Sequence, residues 1–185
     1  MKPVNNIVLL HGYAENPTKV WFPWLHGLVE DRGVRVWAPA LPDTLRPNYK
    51  KWLNFASRAA AGWDESTVVI GNSIGGVLAL RALEKKARRP VRALITLGSP
   101  FTATVSVQAY IDFFKEKIDW EKLRRSAGKF ITIHSKNDPL VPYDHAQRYR
   151  EILGSKLIMT AGDGHFNTKE VPVLAQELEK LLPKK

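Results

Sequence analysis

Six short apolar runs punctuate the chain: NNIVLL ending at Leu10, VRVWA at 34–38, STVVI at 66–70, RALITL at 92–97, KFITIH at 129–134 and KLIMT at 156–160. Each is continuous rather than alternating, the pattern of strands covered on both faces. Between them lie helix-like stretches near 21–31, 48–61, 74–88, 105–126, 142–153 and 171–182. Regular alternation of strand and helix predicts an α/β fold, a mainly parallel six-stranded sheet with right-handed crossovers and helices on both faces, making a three-layer sandwich. No repeat, low-complexity tract or linker interrupts the pattern, so residues 1–185 are expected to form a single domain, with PKK as a frayed tail.

One connection stands out. Residues 101–128 run longer than a plain crossover needs and carry Tyr110, Phe113, Phe114 and Trp120 among many charges. Two readings are open: a small cap arching over the C-terminal ends of the strands, or a crossover helix packed on the sheet. Tyr110, Phe113 and Phe114 share one helical stripe in either case.

Composition narrows the chemistry. With 44% hydrophobic and 25% charged residues, the chain can bury a substantial core. It has no cysteine, which removes disulfides, thiolate nucleophiles and cysteine-based zinc sites. The opening MKPVNNIVLLHGY holds a four-residue apolar run, too short for a signal sequence or a membrane span, and a cytoplasmic protein that does not engage membranes is expected. A formal charge of +10 suits an acidic partner, a nucleic acid or a solvated basic surface. Lys85, Lys86, Arg88, Arg89 and Arg92 cluster at the end of a predicted helix, where the dipole stabilises cations, and no base-stacking aromatics interleave with them. Specific nucleic-acid binding is therefore not expected.

The candidate chemistry lies in VVIGNSIGGVLAL, residues 68–80, which reads as strand, sharp turn and helix with Ser73 at the turn. Such an elbow strains the serine backbone, so the positions two before and two after must be nearly free of side chain; Gly71 and Gly75 occupy them. The hydroxyl then stands clear above the sheet, at the positive end of the following helix. No Lys-Ser or Lys-Thr follows to make a phosphate-binding loop. A nucleophilic serine needs a base and an orienting acid, in the order Ser, Asp or Glu, His on this kind of sheet. Asp138, just past the fifth strand, and His165, in the loop after the sixth, satisfy that order.

Other pairings are weaker. His26 and His145 fall within helices, and His134 ends a strand too early to follow the acid. Asp144 suits a helix N-terminus, and Asp163 is a local turn partner of His165. The loop beginning at His11 and Gly12 should lie beside the elbow, with the backbone N–H groups of Tyr13 and Ile74 as oxyanion donors and the His11 side chain as a buried loop anchor. Trp21, Phe22, Phe113 and Phe114 are candidates for lining an acyl pocket, although their helical spacing equally describes a core face.

The segments IVLLHG, VWFPWL, APALPDTLRPNYKKWL, VVIGNSIGG, LGSPF, HSKNDPLVP and GDGHF, in this order, resemble the α/β-hydrolases, specifically the small retinoblastoma-binding-protein-type serine hydrolases and their bacterial relatives. The resemblance covers nearly the whole chain. It implies a reduced hydrolase sheet lacking the first antiparallel strands, catalytic roles for Ser73, Asp138 and His165, and protein partners for some members. Two positions depart or vary: Asn72 stands where many relatives carry His, and Gly76 varies among them. The expected function is hydrolysis of small carboxylic esters through an acyl-enzyme on Ser73, with no metal or organic cofactor required. The alternatives are a catalytically weak protein-binding module on the same fold and, further off, a binder of anionic surfaces or nucleic acid.

Overall fold

The computed structural model describes residues 2–104 and 108–184, and in it each of the six apolar runs forms a strand: β1 (Asn6–Leu10), β2 (Arg35–Trp37), β3 (Thr67–Asn72), β4 (Ala93–Leu97), β5 (Phe130–Ser135) and β6 (Lys156–Thr160). They make one sheet of order β2-β1-β3-β4-β5-β6, parallel throughout. Register aligns Leu9 with Ile70, Ile70 with Ile95 and Ile95 with Ile131, so apolar rows run across the centre. The four inner strands are buried on both faces as their continuous runs demand. The edges depart from that expectation. Every residue of β2 and β6 retains exposure, because each strand has one neighbour and incomplete helical cover.

Among the described residues α1 (Phe22–Val29), α2 (Tyr49–Ala60), α3 (Ile74–Lys86), α4 (Gln108–Ile111), α5 (Trp120–Arg124) and α6 (Asp144–Leu153) lie between the strands, and α7 (Pro172–Glu179) follows β6. Local chemistry sets several ends. The Asn48 side chain accepts the Lys51 N–H at 3.0 Å to cap α2, Pro172 opens α7, and Gly154 ends α6 at φ 63°. Two apolar clusters sandwich the sheet. One gathers α2, α3, Leu123 of α5 and Tyr149 and Leu153 of α6; the other gathers α1 and α7. The chain steps from β1 outward to β2, then crosses to β3 on the other side of β1, and such a reversal of direction opens a crevice at the C-terminal strand ends.

The stretch read as one helix over 105–126 is instead the short α4 and α5 joined by turns, with residues 105–107 outside the described ones. The cause lies in α3. The buried Arg81 guanidinium donates to the backbone carbonyls of Phe113 (3.3 Å), Lys117 (3.2 Å) and Glu116, and the Glu84 carboxylate accepts the Asp119 N–H at 2.9 Å. Those carbonyls serve a tertiary partner instead of a helix, and Asp119 then caps a new helix by accepting the Lys122 N–H.

The aromatic candidates for an acyl pocket need correction. Trp21 and Phe22 are fully buried edge to face, 4.6 Å apart, in the core under α1. Phe113 is fully buried against Tyr49 (5.2 Å) and Trp52 (5.7 Å). Phe114 is half-buried and lines a hollow with Phe101 and Trp120 that includes none of Ser73, Asp138 or His165. Apolar area at these spacings stabilises most when it faces the sheet. Phe113→Ala is expected to lower the unfolding free energy by about 3 to 5 kcal/mol, measured by urea denaturation, with Phe114→Ala costing less.

Candidate active site

β3 delivers Ser73 into a backbone conformation of φ 52° and ψ −128°, outside the regions an L-residue occupies freely. Strain of this kind costs on the order of 1 to 3 kcal/mol and persists only where the surroundings impose it. Here they do. The Ser73 N–H donates to Leu97 O at 2.8 Å, and the Gly76 N–H returns to Ser73 O at 3.0 Å. A Cβ on Gly71 would lie 2.3 Å from Gly76 Cα, and one on Gly75 would lie 2.2 Å from Leu10 O, so strand and helix meet at a distance that excludes side chains. Gly76 is equally confined, since its Cβ would fall 1.9 Å from Ser99 Oγ.

The elbow brings the three side chains together. Ser73 Oγ lies 2.9 Å from His165 Nε2, and His165 Nδ1 lies 2.8 Å from Asp138 Oδ2. Asp138 hangs from the loop after β5 with its side chain wholly buried; Oδ1 accepts the N–H groups of Leu140 (2.9 Å) and Val141 (3.0 Å), leaving Oδ2 for the imidazole. Burial pushes the Asp138 pKa up, but the hydrogen bonds from His165, Val141 and Leu140 outweigh it and hold the carboxyl below its usual range.

Several supporting residues escaped the sequence reading. Gly98, at φ 52°, leaves room for the acid and base: a Cβ there would meet Asp138 Oδ2 at 3.2 Å and His165 Nδ1 at 3.3 Å. The turn that presents His165 is tied to the end of β5, where Ser135 Oγ accepts the Asp163 N–H and Asn137 Oδ1 accepts the Gly164 N–H, both at 3.0 Å. His134, set aside as too early in the chain, is fully buried beneath the acid. Its Nε2 donates to Val141 O at 2.9 Å and lies 3.9 Å from Asp138 Oδ2, while burial lowers its pKa and keeps the ring neutral. Only the flanking HSKND was available as a signal, since these contacts join distant residues.

On the other flank, Gly12 abuts the elbow so closely that a methyl on it would stand 3.0 Å from Ser73 Cβ. His11 anchors this loop: Nε2 accepts the Leu41 N–H at 3.0 Å, which leaves the proton on Nδ1 to reach Gly12 O at 3.0 Å. The Glu15 carboxylate accepts the Gly12 N–H at 2.6 Å and the buried Asn72 amide at 2.8 and 3.1 Å. The loop is therefore held against the elbow through Gly12, the residue before Tyr13. Ile74 is the first residue of α3, where a helix leaves its N–H without an internal partner. Tyr110, from α4, lies near Ser73, and burial raises the pKa of its phenol. A hollow of about 550 Å³ lies elsewhere, at the N-terminal ends of β5 and β6 between Arg124, Lys129, Lys156 and Lys180.

A family model described as serine hydrolase matches residues 7–173. YdeN of Bacillus subtilis (strain 168) is 29% identical over 161 residues, spanning 86% of this chain and 85% of that one. Serine hydrolase RBBP9 of Rattus norvegicus is 28% identical over 179 residues, 95% and 94% of the two chains. The crystal structure of the B. subtilis ydeN gene product superposes with a TM-score of 0.90 at 24% identity over 96% of this chain and 98% of that one. The esterase EaEST from Exiguobacterium antarcticum gives 0.71 at 15% identity over 97% and 92%. At those identities the superpositions speak for the fold alone.

Two measurements test the site as built. Gly75→Ala should destabilise the protein by about 1 to 3 kcal/mol or more, whereas Gly162→Ala, with nothing within 4 Å of its Cβ, should leave the melting temperature nearly unchanged. Because the folded pKa of Asp138 is depressed, its contribution to stability is complete above the unfolded value and lost as pH falls through the folded one. Unfolding free energy measured across the acid range should therefore fall less steeply in Asp138→Asn than in the wild type.

Proposed function

The chain belongs to the serine hydrolase family, and on that premise we propose that it cleaves carboxylic esters through an acyl-enzyme formed on Ser73. The observation that carries this reading is the unbroken hydrogen-bonded chain from Ser73 Oγ through His165 to Asp138. Asp138 accepts a hydrogen bond from Nδ1–H, which fixes the tautomer and leaves Nε2 bare to act on the serine. As Ser73 Oγ bonds to the substrate carbonyl carbon, His165 Nε2 takes the hydroxyl proton and the carbonyl electrons move onto oxygen. That oxyanion is met by the N–H groups of Ile74 and Tyr13, two donors whose positions are set before the substrate arrives. Collapse expels the alcohol, protonated by His165, and leaves the acyl group on Ser73. Water then attacks the acyl carbon as His165 takes its proton, and the second collapse releases the acid and restores the serine.

Esters suit this site better than amides because an alkoxide leaves more readily than an amine. Asp138 is the orienting acid, since it alone among the candidate acids makes the 2.8 Å contact to Nδ1; the Asp163 backbone serves the turn before His165. A pure binding module would not need a strained serine held against a base. Among the described residues no helix is long and apolar enough to cross a membrane.

The test is covalent labelling with a neutral fluorophosphonate and turnover of nitrophenyl esters of increasing chain length. Ser73→Ala should abolish labelling and lower kcat by about 10⁴- to 10⁶-fold while keeping the fold. Asp138→Asn should lower turnover severely and Asp163→Asn should not. Near-native turnover by Ser73→Ala would refute the mechanism.

A further inference from the structure

Glu15 is a carboxylate beside the proposed nucleophile, and its position is specified closely. A single methyl group on Gly12 would touch both Ser73 Cβ, at 3.0 Å, and Glu15 Oε2, at 3.1 Å. Its hydrogen-bond partners are neutral, the Gly12 N–H and the Asn72 amide. Among the described residues no Lys or Arg forms an ion pair with it, although the chain holds 28 Lys and Arg against 18 Asp and Glu. His11 feels the charge, but burial lowers its pKa and keeps the imidazole neutral. The carboxylate is thus held in place without being neutralised. Asn72 contributes to this state: its Nδ2 is committed to Glu15 while its buried Oδ1 has no partner, so the amide is oriented toward the charge at the expense of its own oxygen.

Aromatic surface completes the surroundings. Tyr13, two residues before Glu15, is half exposed, and its ring meets that of Tyr110 edge to face at 6.4 Å between centroids. Tyrosine faces attract cations through the ring quadrupole, and a nearby carboxylate adds to that attraction. We propose that Glu15, with the rings of Tyr13 and Tyr110, forms a cation-recognising subsite beside Ser73, so that the preferred substrate carries a positive group close to its scissile carbonyl. The proximity to Ser73 sets that closeness, because a single point on Gly12 lies 3.0 Å from Ser73 Cβ and 3.1 Å from Glu15 Oε2, so a group paired with the carboxylate sits near the reacting carbonyl. The protein's overall positive charge works in the opposite direction at long range, but salt screens it over about 10 Å and leaves the local contact dominant.

This inference rests on the acyl-enzyme reading, and the experiment separates the two. Three nitrophenyl esters with matched short acyl groups ending in trimethylammonium, tert-butyl or sulfonate would be compared by kcat/KM. The wild type should prefer the cationic over the anionic ester by about tenfold or more, with the neutral isostere between them. Glu15→Gln, which keeps the side chain's size and an acceptor oxygen, should bring that ratio down to about one. A merely structural role would lower all three rates together and leave the ratio unchanged, which overturns the subsite. Should Glu15→Gln not fold, the wild type decides: tetramethylammonium should slow labelling of Ser73 by the neutral fluorophosphonate, and methanesulfonate at the same concentration should not. Equal protection by both ions overturns the proposal. Turnover that survives Ser73→Ala, or wild-type protein inert to all three esters, defeats the acyl-enzyme reading and the subsite with it.

Discussion

The structure depends on one close approach, that of β3 and α3 at the elbow around Ser73. A serine at φ 52° and ψ −128° is costly, and the cost is met because Gly71 lies against Gly76 while Gly75 lies against the Leu10 carbonyl at the end of β1. Packing elsewhere follows from this contact. With α3 that near the sheet, its Val77, Leu78, Leu80 and Leu83 enter the core beside Val8, Leu10, Val69 and Leu94. The same proximity lets Ser99 and Gly98 follow β4 directly beneath the catalytic edge, and Gly98 gives the acid and base their room. One strained residue thus couples the geometry around Ser73 to the assembly of the sheet's centre.

α3 has a second role on its outward side. Arg81 and Glu84 are both buried and paired at 3.5 Å, and between them they fasten the backbone of residues 113–119. A buried ion pair alone is a poor source of stability, because desolvation offsets the attraction. Here the guanidinium also satisfies three backbone carbonyls that the broken helix leaves without partners, which makes burial of the charge tolerable. Within the long connection Phe113 is thereby held in the core, against Tyr49 and Trp52.

Legibility in the sequence tracked how local each signal was. The six strands, the elbow and the meeting of Ser73, Asp138 and His165 could be read because each is carried by a few adjacent residues or by chain order. Central and edge strands looked alike, since VRVWA and KLIMT are as apolar as the inner runs and only the sheet order distinguishes them. The break near residue 112 was invisible because its cause, Arg81, sits some thirty positions away. Trp21, Phe22 and Phe113 were ambiguous for another reason: a stripe of aromatics on a helix marks an apolar face without saying whether sheet or substrate covers it. Glu15 and His134 carried no pattern. Their significance lies wholly in contacts to Asn72, Gly12 and Val141 made by folding.

The two carboxylates nearest this chemistry show how environment divides one functional group into two roles. Asp138 is wholly buried, receives two backbone N–H groups on one oxygen and aims the other at an imidazole that becomes cationic during the proposed reaction. Its charge is therefore answered within the protein at the moment the charge is needed. Glu15 receives only neutral donors and remains partly exposed beside Ser73, so its charge is left for whatever enters. Exchanging their surroundings would spoil both functions: a carboxylate without a fixed imidazole cannot set the tautomer, and one already answered by a cation cannot select a substrate. The residue at position 72 sits between the two demands. An amide there can donate to Glu15 without bringing a charge of its own, so Asn72 holds the loop to the elbow and leaves the carboxylate without a cationic partner.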